Sequence, residues 1–92
     1  ERYGVDFAPH SWHNGLMCMA HAHLVAALPN PRMVELCMIQ GPLQWGILAD
    51  PPTVEKGHLA LPGTAGFGVT LAPDLEDTYP YIEGLYAVTV ER

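Results

Sequence analysis

The sequence predicts an α/β fold built from one strand–helix–strand unit of a βα barrel. Residues 5–8 are short and mostly apolar, as expected of a parallel strand covered on both faces. Residues 16–28 are alanine-rich and set Leu16, Met19, Ala20, His23, Leu24 and Ala27 at helical spacing. A second apolar run, residues 33–37, follows within a few positions. Such barrels carry their chemistry at the C-terminal ends of the strands. That rule places His10, just past the first strand, and Glu35, within the second, at one mouth.

Each boundary has a local cause. Tyr3-Gly4 reads as the closing punctuation of an upstream helix, since glycine is favoured just past a helix end. Pro9 stops the first strand because it has no N–H to give to a ladder. Asn14-Gly15 signals a turn and helix entry. Pro29-Asn30-Pro31 ends the helix. Beyond Cys37 helical periodicity fades, and Gly41-Pro42, Asp50-Pro51-Pro52 and residues 63–68 punctuate the chain. Two short strands, residues 57–62 and 67–71, are expected around a glycine turn, with one more at 87–90. Residues 41–92 thus read as an ordered tail wrapping another part of a larger protein.

Composition narrows the function. The chain has 92 residues, whereas an eight-unit barrel needs roughly 250. It is 49% hydrophobic and only 15% charged, against roughly 25% charged in ordinary soluble domains. The expectation is a fragment with an interior start, much of whose surface is covered by protein outside it. A net charge of -6 with four Lys+Arg argues against nucleic acid and against a membrane surface. No apolar run approaches the ~20 residues that span a bilayer. Cys18 and Cys37 belong to no zinc spacing. They read as buried free thiols in a reducing, cytoplasmic setting, with a disulfide as the alternative.

His10 is the chemistry-bearing candidate, because imidazole titrates near neutral pH and can take or give a proton there. Glu35 is the one charged residue of its strand, and a carboxylate there needs a partner or solvent. Trp12 fits either a substrate mouth or a seal over the loop. His13 and His21 lie too far apart for one metal ion, and His21 and His23 point to different helix faces. These extra histidines read as structural. Residues 63–68 are glycine-rich but lack the strand-then-helix context of a nucleotide loop. Asp74, Glu76 and Asp77 read as a solvated surface.

The run Ala8-Pro9-His10-Ser11-Trp12-His13, the helix end Ala26-Ala27-Leu28-Pro29-Asn30, and Val34-Glu35-Leu36 resemble the C-terminal end of the enolase superfamily. The resemblance is to its mandelate racemase/muconate lactonizing enzyme branch, and most to the acid-sugar dehydratases. The tail from Gly57-His58-Leu59-Ala60-Leu61-Pro62-Gly63 to Gly66-Phe67-Gly68-Val69 resembles the segment that returns to the capping domain. Ala65-Gly66-Phe67-Gly68 stands where the family usually shows Pro-Gly-Leu-Gly, a change confined to a turn. Residues from Thr78 onward are less typical.

The resemblance implies a (β/α)7β TIM-like barrel, with residues 1–40 as its last βα units and 41–92 as the tail packing on barrel and capping domain. It implies a Mg2+-dependent lyase that removes the proton α to a carboxylate and dehydrates a sugar acid. His10 then matches the seventh-strand acid–base histidine, oriented by an aspartate of the sixth strand. Glu35 matches the eighth-strand glutamate that hydrogen-bonds the substrate carboxylate as it becomes an enediolate. Trp12 and His13 are the substrate-binding candidates. The Mg2+ ligands and second-strand base are expected outside this chain, which holds no metal ligand of its own. The implied partners are a sugar-acid substrate, the rest of the barrel and the capping domain, with a homo-oligomer as the complete assembly. A racemase or epimerase is the alternative within the superfamily. A small non-catalytic interaction module is the alternative outside it.

Overall fold

The computed structural model describes residues 3–39 and 41–84. Its elements run α1 (Gly15–Ala27), α2 (Pro42–Trp45), β1 (Val54–Glu55), β2 (His58–Leu59) and α3 (Leu75–Thr78). The expected strand at 87–90 lies outside the described residues.

Helix α1 forms where the sequence placed it, and its ends have clear causes. The Asn14 side chain accepts the Met17 N–H at 3.0 Å, occupying an otherwise orphaned donor of the first turn. At the other end Leu28 is extended, with φ -76 and ψ 146. A residue that precedes proline is pushed out of the helical region, and Pro29 follows. The buried face differs from the expected one. Gly15, Cys18, Met19, Ala22 and Val25 are buried, while Leu24 and Ala27 are exposed. Apolar residues surround nearly the whole helix, so spacing alone does not select which stripe meets the core.

The core lies between α1 and the tail. Met19, Ile47 and Leu48 are its buried centre, and Leu16, Trp45, Leu59, Leu61, Val69, Leu75 and Tyr79 pack around them. The close approach of α1 to α2 depends on Gly15, where a Cβ would lie 1.9 Å from the Gln44 carbonyl oxygen. The tail folds back on itself: Ala49 N–H donates to Thr70 O at 2.8 Å and Ala72 N–H to Ile47 O at 2.9 Å.

Several expected elements need correction. Residues 5–8 and 33–37 form no strand, and no backbone hydrogen bond joins them among the described residues. A strand in a sheet needs a neighbour that takes its ladder bonds, and among the described residues none does so here. Side chains link them instead. Asp6 Oδ1 accepts from Arg32 Nε at 3.2 Å, and Glu35 meets His10 and Ser11 further along. Both segments therefore advance in the same direction. The barrel unit itself is not shown: the sheet found among the described residues is the two-stranded β1–β2 hairpin.

That hairpin also differs from expectation. β2 pairs antiparallel with β1, Val54 opposite Leu59, and residues 67–71 contribute one bridge, Leu71 to Leu48. Lys56 and Gly57 both have positive φ, at 49° and 76°, the conformation of a type I′ turn whose twist suits a hairpin. Lys-Gly is a weak signal for that turn, so the β1 partner was not legible. The glycine-rich stretch at 63–68 is a turn, as expected. Both cysteines are free, Cys18 buried and Cys37 half-buried, and burial pushes the Cys18 thiol up from its ordinary pKa. Asp74, Glu76 and Asp77 are exposed. No described helix is long and apolar enough to cross a membrane.

Candidate functional site

Pro9 is buried, His10 is exposed and Ser11 is buried again, so the chain turns outward at His10 and back inward at Ser11. His10 projects with its side chain 67% exposed, and Glu35 reaches it from the second segment with 41% exposure. His10 Nδ1 lies 2.8 Å from Glu35 Oε2. The same oxygen accepts the Ser11 backbone N–H at 2.9 Å. One carboxylate oxygen thus gathers two donors that are adjacent in sequence.

The Trp12 ring lies 5.5 Å from that of His10 between centroids, tilted by 31°, and the His13 ring lies 6.2 Å away, edge-on at 73°. All four residues singled out in the sequence, His10, Trp12, His13 and Glu35, therefore meet in one cluster. It is open to solvent, which suits contact with a polar small molecule.

Electrostatics assigns the protonation of Glu35. The Ser11 N–H holds its carboxyl below the ordinary 4.5; His10 and Trp12 add to this, while partial desolvation opposes it. A carboxylate ionised at neutral pH is an acceptor only. His10 Nδ1 must therefore carry a proton toward it, which leaves Nε2 facing away and free to take one. The resemblance places Glu35 on the substrate. The geometry puts the bonds of Oε2 on His10 and the loop.

Two polar residues that sequence reasoning did not select complete the cluster. Ser11 is only 3% exposed, and its Oγ lies 2.8 Å from His21 Nδ1 and 3.3 Å from the Pro9 carbonyl oxygen. His21 sits on the face of α1 that carries Cys18, Ala22 and Val25, which is buried. Its signal in the sequence was a polar residue on that stripe, but the stripe itself was not legible. Among the described residues no three His, Cys, Asp or Glu side chains are grouped to hold a metal ion. The described residues thus offer no grouped ligands for magnesium.

Residues 1–75 match the model of the enolase C-terminal domain-like family. This chain belongs to that family. The enolase superfamily comprises lyases and racemases that generally depend on Mg2+. Neither a curated protein nor a solved structure matches the chain.

Proposed function

We propose that this chain is the C-terminal part of an enolase-superfamily dehydratase acting on a sugar acid, with His10 as its acid–base residue. The observation that carries the reading is the His10 Nδ1–Glu35 Oε2 contact of 2.8 Å at the solvent-open end of two co-directed segments. His10 Nε2 takes the proton α to the substrate carboxylate. The resulting imidazolium is stabilised by the Glu35 carboxylate on its other nitrogen. The same proton then goes to the departing β-hydroxyl, which leaves as water. The proton account closes on one residue, and the enol that remains tautomerises to an α-keto acid. Trp12 and His13 flank the ring and hold the substrate against it.

In this reading residues 1–40 are the last βα units of a (β/α)7β barrel, residues 41–92 are its returning tail, and Mg2+ is held by residues outside the chain. The exposed apolar side chains support a barrel partner: Val5 is 74%, Met33 69%, Met38 84% and Ile39 80% exposed. Where such side chains form a contiguous patch, they mark a surface that other protein covers.

The test is His10→Asn in the whole protein, assayed on a panel of sugar acids for α-keto acid formation and for solvent-deuterium exchange at the α-carbon. Loss of a positioned acid–base group lowers dehydration by about 10²–10⁴-fold. Exchange that persists without dehydration assigns proton abstraction to another base and leaves His10 the hydroxyl. Unaltered turnover removes His10 from the mechanism.

A further inference from the structure

Ser11 occupies a junction. Its peptide nitrogen joins it directly to His10 and donates to Glu35 Oε2 at 2.9 Å, while its hydroxyl is buried against α1. A buried hydroxyl has to be satisfied, and Oγ has one proton to give. The Pro9 carbonyl, 3.3 Å away, can only accept. Assigning the hydroxyl proton there makes His21 the donor, through Nδ1–H at 2.8 Å. The N–H and the hydroxyl of Ser11 then both have partners, in keeping with the absence of unpaired buried side-chain polar atoms among the described residues.

We propose that His21 is a positioning residue for His10, acting through Ser11. The route is short: imidazole of His21 to Ser11 Oγ, then Ser11 N–H to Glu35, whose carboxylate holds the His10 ring. His21 is fixed on a helix of 13 residues, whereas His10 and Glu35 both lie on segments without regular structure. The bond from His21 ties that pair to the helix. The two segments make no ladder bonds with each other, and this bond is a side-chain tie from Ser11 to α1. The proposal rests on the dehydratase reading for its kinetic consequence but not for its geometry.

The test uses the whole protein with His21→Leu, His21→Asn, Ser11→Ala and the double variant Ser11→Ala/His21→Leu. Leucine removes the donor, and the loss of one hydrogen bond that aligns the site lowers kcat by about threefold to tenfold. KM stays within about twofold, because the substrate contacts are untouched. Asparagine places an amide N–H near the position of Nδ1 and restores kcat to within about twofold of wild type. Ser11→Ala reproduces the leucine effect, and the double variant is no worse than the stronger single change, as expected for two residues on one route. Multiplying losses in the double variant, equal losses with leucine and asparagine, or wild-type kcat in all variants would overturn the proposal.

A second readout is independent of turnover. In 15N-histidine spectra of the whole protein, His21→Leu shifts the His10 Nδ1 resonance and His21→Asn returns it. An unmoved His10 signal rejects the coupling even where Ser11→Ala keeps the fold. Absence of α-proton exchange on any sugar acid in the wild type rejects the dehydratase reading alone, and the spectra still decide the role of His21.

Discussion

Glu35→Gln separates a carboxylate that orients His10 from one that binds substrate. Oε2 of Glu35 accepts from His10 Nδ1 at 2.8 Å and from Ser11 N at 2.9 Å. A glutamine has the same shape, and its amide can turn either way. With the NH2 group inward, two donors would face a third; with the oxygen inward, both bonds survive. The second orientation is therefore the stable one, and His10 keeps its proton on Nδ1. What disappears is the negative charge. Charge-assisted hydrogen bonds are roughly twice as strong as neutral ones. The pair is 67% and 41% exposed, so solvent screens part of that advantage. The expected fall in kcat is about tenfold, well short of the ~10⁴-fold that follows when an amide imposes the wrong tautomer on a catalytic histidine. Glu35→Leu removes the acceptor altogether, leaves both donors facing an alkyl chain, and lowers kcat by about 10²–10³-fold. The assay is steady-state dehydration by the whole protein, with kcat and KM separated. A rise in KM with kcat retained would refute the orienting role and return Glu35 to the substrate.

Acid should weaken the same contacts. Glu35 is held below its ordinary 4.5, chiefly by the Ser11 N–H. A depressed carboxyl stabilises the folded form fully above the unfolded value, and that contribution is lost as pH falls from about 4.5 through the lower folded value. A carboxyl-carbon NMR titration of Glu35 should therefore find its midpoint below 4.5; a midpoint at or above it contradicts the assigned contacts. Gly15→Ala tests the helix contact beneath the loop. The new methyl would meet the Gln44 carbonyl oxygen at 1.9 Å and Leu48 Cδ1 at 3.2 Å, so backbone has to move. Overpacking costs about 1–3 kcal/mol, which outweighs the ≲ ~1 kcal/mol gained by alanine over glycine in a helix. Chemical denaturation of the whole protein should show a net loss of about 1–2 kcal/mol, and unchanged or raised stability would show that α1 and α2 do not approach this closely.

Local chemistry was legible in the sequence wherever one or two neighbouring residues decide the outcome. Asn14 caps α1 and Pro29 ends it because capping and the pre-proline restriction are short-range effects. The turn at 63–68 follows from glycine in the same way, with Gly66 and Gly68 at φ 66° and 65°. The pairing of His10 with Glu35 was foreseeable because two co-directed segments that each place a polar residue at one end bring those residues together. Other features depend on distant parts of the chain. The segments at 5–8 and 33–37 have the composition of strands, but a strand needs a ladder partner, and composition cannot supply one. Helix α1 is apolar around most of its circumference, so its buried stripe was chosen by Ile47 and Leu48 arriving from the tail. That choice carried His21 to Ser11, ten residues away along the chain and 2.8 Å away in space. The sequence by itself determined which residues have side chains able to exchange a proton near neutral pH. Only the tertiary structure decided what holds them, because the face a helix buries depends on what packs against it.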